Sequence, residues 1–334
     1  MWATALWGPC LTVCDRLSRV HVDARIRGRD KRERGVVVIR ALAIVNPASG
    51  HYRRSGVRTA LEQAAATGDL ELDLHEVRDD ETVSGLVRRG LEEGVGLFVA
   101  VGGDGTVSGV VEGLGGASVP VAVVPVGTGN LLARDLGLPL DPAEAARLIS
   151  GEHDLRTLDA MRVGERLFVL NVGVGISSAT VRDTRDEDKL RFGRAAYVGT
   201  GLRELFGVRP CLFKVSVDGR DTELRATEVT VANCDFIGEI PWPWSPEIRP
   251  DDGRLDVCLV LVPTAAESIR SWIRVLRHRR KLLPNVRWLR ARRSVRIEAT
   301  RRLPAQGDGD LIGETPIEVE LVPGAVRVVV PRSR

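Results

Sequence analysis

The stretch VGLFVAVGGDGTVSGVVEGL, Val95 to Leu114, decides how this chain is read. Its opening, Val95–Val101, is an apolar run rich in β-branched and aromatic residues, of strand length and too short for a core helix. Gly102-Gly103-Asp104-Gly105-Thr106 follows at once, and its three glycines let the backbone turn tightly and a ligand come close. Val107, Val110, Val111 and Leu114 then return at helical spacing. A glycine turn between a strand and a helix N-terminus presents unpaired N–H groups to an anion, normally phosphate. The informative residue is Asp104. A carboxylate beside phosphate repels it unless a cation lies between, so Asp104 predicts Mg²⁺ together with a nucleotide. The plain rival is a structural turn. The two common phosphate signatures are absent. A dinucleotide fingerprint from Gly103 needs its third glycine at Ser108, and one from Gly127 needs it at Leu132; no G-x-x-x-x-G-K-[ST] string occurs.

Working outward, Gly35–Val45 reads as a strand that ends in Asn46-Pro47-Ala48-Ser49-Gly50. Val57–Ala66 reads as a helix, Leu70–Val77 as a strand and Val83–Glu92 as a helix. Val119–Val124 is the next strand, with Gly127-Thr128-Gly129-Asn130 as its loop and a short helix from Leu131. Asp141-Pro142 caps a helix over Ala143–Ile149. This alternation predicts a parallel sheet with helices on both faces. Ligands then sit at the carboxyl ends of the strands, so Asn46, Ser49 and the Thr128 hydroxyl would face one nucleotide. From about Leu155 the pattern turns to alternating β. Leu158–Val163 and Arg166–Val172 read as a hairpin turning at Gly164-Glu165. A charged stretch, Arg182–Arg194, precedes a helix near Ala195–Phe206. Leu212–Val217, Glu228–Asn233 and Leu255–Val262 read as strands, the first turning at Asp218-Gly219.

Three blocks in order carry a resemblance. GGDGT is the signature of the lipid-kinase, NAD-kinase and phosphofructokinase superfamily. Asn46-Pro47-Ala48-Ser49-Gly50 resembles the NPxSG loop of the diacylglycerol/sphingosine kinase catalytic domain. Pro125-Val126-Gly127-Thr128-Gly129-Asn130, running on into LLARDLGLP, resembles that family's P-x-G-T-x-N block, and Asn171–Gly175 its N-x-G-x-G segment. The resemblance covers about Ile39 to Val330. It implies an α/β plus all-β fold: a Rossmann-like three-layer α/β/α nucleotide domain over 35–154, then a β-sandwich lipid domain over 155–330. The last segment of the second would pack back on the first. Residues 1–34 read as an arginine-rich extension, either disordered or flexible or a loose helix on an anionic membrane surface.

The same resemblance implies an ATP- and Mg²⁺-dependent lipid kinase that phosphorylates the hydroxyl of diacylglycerol or a related lipid alcohol. Asn46, Pro47, Ser49, Gly50, Gly102, Gly103, Asp104, Gly105, Thr106, Gly127, Thr128 and Asn130 would hold ATP, and Asp104 the catalytic Mg²⁺. Arg249-Pro250-Asp251-Asp252-Gly253-Arg254-Leu255-Asp256 resembles the D-D-G-x-L-D segment in which bacterial members hold a structural Mg²⁺, which falls here to Asp252. A plain turn into a strand uses the same residues. Gln306-Gly307-Asp308-Gly309-Asp310 resembles the D-G-E block, whose acid is proposed to deprotonate the acceptor. The matching acid is Asp310, with Asp308 beside it, and a solvated acidic hairpin turn is the rival. The sequence departs from the pattern at Ser108 and Gly109, where the family usually has Asn and Glu, and at Leu131, where many members have Asp.

The remaining features bound the reading. The 334 residues suffice for one large or two ordinary domains, and a net charge of +3 leaves no global nucleic-acid footprint. Five cysteines, odd in number and without metal-ligand spacing, suit reduced thiols in a cytosolic protein. No run of some 18 apolar residues occurs, so the chain is not expected to span a membrane. Ile269–Arg302 carries thirteen Lys/Arg against one acid, Glu298, with Trp272 and Trp288 interleaved and Trp242-Pro243-Trp244 upstream. That mixture suits an anionic lipid surface; RNA or DNA is the competitor, without a recognisable binding module, and a solvated arginine-rich face is the plain alternative. The expected enzyme is cytoplasmic and touches the inner face of the membrane; related enzymes are often dimers, which leaves a homodimer open, and the sequence itself is silent on oligomeric state. Two rivals stand beside it: an NAD-kinase-like enzyme, which shares GGDGT but not the other blocks, and a non-catalytic lipid- or nucleotide-binding regulator, suggested by the missing glutamate at Gly109.

Overall fold

The computed structural model describes residues 38–49, 56–67, 70–183, 210–235, 247–261 and 286–332. The expectations placed on 1–34, on Gly50, on the charged stretch beyond Asp183, on the helix near Ala195–Phe206, on Trp242–Trp244 and on 269–285 lie outside those residues.

The first half alternates as its sequence pattern requires: β1 (Ile39–Val45), α1 (Val57–Thr67), β2 (Leu70–Glu76), α2 (Val83–Glu92), β3 (Leu97–Gly102), α3 (Asp104–Leu114), β4 (Val121–Pro125), α4 (Leu131–Asp135) and α5 (Pro142–Ser150). The strands pair in parallel in the order β2-β1-β3-β4. β3 is buried on both faces, which is why its sequence is a continuous apolar run rather than an alternating one. Phe98 and Ala100 meet α2 and α3 on one side, with Leu86, Val87, Val107 and Val110. Leu97, Val99 and Val101 meet α1 and α5 on the other, with Val57, Leu61, Ala146 and Ile149. Burying a side chain such as Phe98 supplies roughly 2–3 kcal/mol. The helix starts are local: the Thr82 hydroxyl accepts from Gly85 N at 3.1 Å, and the Asp141 carboxylate accepts from Ala143 N and Glu144 N.

The second half is β5 (His153–Val163), β6 (Arg166–Phe168), β7 (Asn171–Gly175), α6 (Ile176–Asp183), β8 (Cys211–Val217), β9 (Arg220–Ala232), β10 (Leu255–Leu261), β11 (Val286–Ala291), β12 (Ser294–Ala299), β13 (Pro304–Gly307), β14 (Asp310–Glu314) and β15 (Ile317–Pro331). It is a β-sandwich, antiparallel throughout, around a core that includes Val172, Phe213, Val229, Val257, Ile297 and Val319. Strand order runs β14-β13-β7-β9-β8-β12-β15 and on into β4-β3-β1-β2. β15 therefore belongs to both halves. Its start pairs with β12, Val328 pairs in parallel with β4 at Val121, and most of its length pairs with β5.

Two strand expectations are corrected. Arg166–Val172 is not one strand. It breaks between β6 and β7 because Val169 N and Leu170 N turn to the Asp308 carboxylate. Glu228–Asn233 is only the end of β9, whose polar first half, Arg220–Arg225, is held by pairing with β8 rather than by its own apolar content.

Candidate active site

The order β2-β1-β3-β4 places β1 between β2 and β3, so chain direction across the sheet reverses between β1 and β3. The crevice at such a reversal is where open α/β sheets bind ligands. The three glycine-rich loops follow the three adjacent strands β1, β3 and β4, and their backbones join: Asn46 N donates to Val101 O at 3.0 Å, and Val126 N to Gly102 O at 3.0 Å.

Each loop is shaped by its own residues. The Asn46 side chain accepts from Ala48 N at 3.0 Å, closing the Asn-Pro turn. Asn130 sits at φ +50, accepts from Gly127 N at 3.1 Å and donates to Gly127 O at 2.9 Å, so it ties its loop into a ring. A Cβ on Gly127 would overlap the Cα of Gly103, and one on Gly102 would overlap Thr106. These glycines exist so that two backbones and a helix start can touch. Gly103 caps α3 without a side-chain oxygen, which leaves the first N–H groups of α3 for an anion. Gly105 and Thr128 are exposed at the loop tips, whereas Thr106 is buried.

Asp104 bridges two of the loops. Its Oδ1 accepts from Leu131 N at 2.6 Å, at the start of α4. Its carboxyl is raised above the usual range, chiefly by burial, against the backbone donors at Leu131, Leu132 and Asn130, with the Asp308 charge adding to the rise. Its Oδ2 faces Gly129, where a Cβ would approach to 2.7 Å.

Asp308 and Gly309 form a two-residue hairpin turn between β13 and β14, with φ of +49 and +94. Gly309 is exposed, but the Asp308 carboxylate is turned inward. Oδ1 of Asp308 accepts from Leu170 N and Asn171 N, and Oδ2 from Val169 N, all at 2.9 Å. Oδ2 also accepts from Ser108 Oγ at 2.5 Å, one turn into α3 from Asp104. Burial, the largest influence, raises the Asp308 carboxyl despite those four donors. Asp310 points elsewhere. It is largely exposed and pairs at 3.3 Å with Arg166, which also holds Glu112 of α3 at 3.0 Å. The structure thus brings the three loops, Asp104 and Asp308 together and leaves Asp310 at the rim. Asp252 lies apart, exposed, in the turn before β10. Among the described residues no group of three or more His, Cys, Asp or Glu side chains gathers as a metal site. Ser108, Glu112 and Arg166 were not singled out as site residues by sequence reasoning. Only Ser108 carried a signal, as a departure from the family pattern.

With this geometry in view, the likeness to known proteins is specific. Residues 40–163 match the diacylglycerol kinase catalytic domain, and 171–330 match the YegS C-terminal NAD kinase beta sandwich-like domain. Residues 40–163 belong to the diacylglycerol kinase catalytic-domain family. It is 29% identical over 301 residues to the diacylglycerol kinase of Mycobacterium tuberculosis strain H37Rv, covering 87% of this chain and 94% of that one. It is 29% identical over 291 residues to a Pseudomonas aeruginosa protein named "Probable lipid kinase YegS-like", covering 84% and 92%. A Bacillus anthracis str. Sterne crystal structure described as a diacylglycerol kinase superimposes with a TM-score of 0.66 at 24% identity, over 87% of this chain and 96% of that one, which bears on the fold. This kinase keeps the three loops of the family and alters the helix behind them. At Gly109 the glutamate of the pattern has no room: a Cβ there would come within 2.8 Å of Val83 Cβ on α2.

Proposed function

We propose that this kinase transfers the γ-phosphate of ATP to the hydroxyl of diacylglycerol or a related lipid alcohol. The observation that carries the reading is the contact between Ser108 and Asp308, which joins the helix opened by GGDGT to the acidic turn of the β-sandwich. Phosphoryl transfer asks a protein mainly for positioning and charge neutralisation. The loops at 102–106 and 127–130 supply N–H groups and the start of α3 for the triphosphate, and the first loop, at 46–50, whose described N–H groups are taken by Val101 and Asn46, would offer the Ser49 hydroxyl. Gly50 completes the first of these loops in the sequence. The space that Gly129 keeps open at Asp104 Oδ2 fits a small cation, so Asp104 would hold Mg²⁺, which supplies neutralisation of the β- and γ-phosphate charge.

Of the two acids in the turn, Asp308 suits the base. Its charge is felt at Asp104, and it holds its proton more readily than an ordinary carboxyl, which is the direction a base needs. Asp310, committed to Arg166, orders the rim. The acceptor must come partly out of a bilayer, so the enzyme works at the membrane surface. Among the described residues no helix is long and apolar enough to cross a membrane.

The test is transfer of label from γ-labelled ATP, with Mg²⁺, to a panel of lipid alcohols in mixed micelles. Label is expected in one lipid class and is expected to fall at least about 100-fold in Asp104→Ala. Label in NAD and in no lipid would overturn the reading.

A further inference from the structure

The Asp308-Gly309 turn has a twin in the same chain. Asp218-Gly219 joins β8 to β9 with φ of +50 and +85. Asp218 Oδ2 accepts from Arg292 N at 2.8 Å, and Oδ1 from Arg293 N at 2.8 Å and Ser294 N at 3.1 Å. Asp308 repeats this pattern with Val169, Leu170 and Asn171. In both turns the Asp N–H also closes the loop: Asp218 N donates to Ser294 O, and Asp308 N to Asn171 O. Three backbone donors are therefore enough to build and hold such a turn. Asp308 differs in one respect: it has a fourth donor, the Ser108 hydroxyl, from a helix 200 positions away.

The fourth donor changes what the carboxylate can do. Each carboxylate oxygen has about two acceptor sites, and each oxygen of Asp308 already takes two donors. A lipid hydroxyl cannot reach Asp308 directly without displacing one. Three of the four are backbone N–H groups held in the β6–β7 connection. The fourth is a hydroxyl that rotates, donates one proton and accepts at two lone pairs. Ser108 lies on α3 one turn beyond Asp104, hence beside the phosphate loops.

We propose that Ser108 is a catalytic proton relay between the acceptor hydroxyl and Asp308. The proposal rests on the kinase reading above, with Asp308 as base. The acceptor O–H bond breaks and its proton passes to Ser108 Oγ, while the proton of Ser108 passes to Asp308 Oδ2. The acceptor oxygen bonds to the γ-phosphorus, and the bond from that phosphorus to the bridging oxygen breaks, ADP leaving with the electron pair. The asparagine usual in the family at this position donates but does not pass a proton on in this way, so the relay is a property of this chain's serine. It replaces a direct contact between base and alcohol.

The experiment measures kcat, KM for ATP and lipid, and the solvent-deuterium proton inventory for the full chain in mixed micelles with Mg²⁺ and γ-labelled ATP. The variants are Ser108→Ala, Ser108→Thr and Asp308→Asn, with Asp218→Asn as the control for the bare turn. Ser108→Ala leaves Asp308 with the three donors that suffice at Asp218, so it folds; its thermal midpoint verifies this. The relay requires that Ser108→Ala lower kcat about 10- to 100-fold with KM for ATP within twofold. It requires that Ser108→Thr restore kcat to within about threefold, and that the curved two-proton inventory of the unaltered enzyme become linear in Ser108→Ala. Unchanged kcat in Ser108→Ala, equal losses in Ala and Thr, or an inventory that Ser108→Ala leaves unchanged each overturn the relay while the kinase reading stands. Failure of the unaltered protein to label any lipid overturns both.

Discussion

Glu228 explains a segment that the chemistry of transfer does not use. It is buried on β9, where Oε1 accepts from Ser177 Oγ at 2.6 Å and Thr230 Oγ1 at 2.7 Å, and Oε2 accepts from Ser177 N at 2.9 Å. A Cβ on Gly173 would come within 3.0 Å of Oε1, and one on Gly175 within 2.8 Å of Oε2. The two glycines of N-x-G-x-G are therefore the room in which this carboxyl sits. Burial, the largest cause, raises Glu228 from 4.5 to about 7 in spite of its hydroxyl and N–H donors. The folded state thus keeps a proton that the unfolded chain gives up above 4.5. The associated stability is full below pH 4.5 and is lost as pH rises through 7, a span worth about 3 kcal/mol. Glu228→Gln, neutral throughout, should gain roughly that much relative to the natural chain between pH 5 and pH 8. Urea midpoints at the two pH values measure it; a pH-independent difference would show that Glu228 does not titrate in the fold.

The elements around the nucleotide loops are held by close backbone approach, so their glycines resist change for different reasons. Gly127→Ala sets a methyl against the Gly103 backbone, which has no side chain to yield. Its expected result is a loss of ATP affinity of at least about tenfold by calorimetry, beyond the 1–3 kcal/mol that overpacking costs. Gly109→Glu restores the family's residue but presses on Val83, at the start of α2. It should lower stability by about 1–3 kcal/mol and leave kcat no higher, read as a thermal midpoint beside the lipid assay. A variant both stable and more active would show that α2 yields and that the missing carboxylate had been limiting.

Across the molecule, β15 makes one structure of two halves. Val319 lies in the sandwich core, whereas Val326 and Val328 lie in the core shared with α2 and α3. Far-UV circular dichroism follows mostly the helices that precede Gly151. Near-ultraviolet signals from Phe168, Phe213 and Trp288 report the second half. The two signals should lose structure at one denaturant concentration, and separate midpoints would show that β15 does not couple the halves. The Arg166 pair with Asp310 adds little to this coupling. The Asp310 side chain is 73% exposed, so Asp310→Ala should cost under about 1 kcal/mol, read as a thermal midpoint.

The α/β layers and their loops were legible because their signals are local. The apolar run of β3, the helical spacing after Thr106 and the cap at Asp141 each depend on neighbours within a few residues. Asp308-Gly309 was legible as a turn for the same reason, since both residues take positive φ readily. Its partners were not. They depend on β13 lying beside β7 and on α3 lying across from both, an arrangement between segments 200 positions apart that leaves no periodic trace. The break at Val169 and Leu170 was hidden for the same reason, because the group that takes their N–H bonds comes from a distant turn. Residue spacing named the loops and the family. Long-range packing separated Asp308 from Asp310, giving the first four donors that include Ser108 and leaving the second to Arg166 at the surface, because partners and donor count are properties of contacts made across the whole chain.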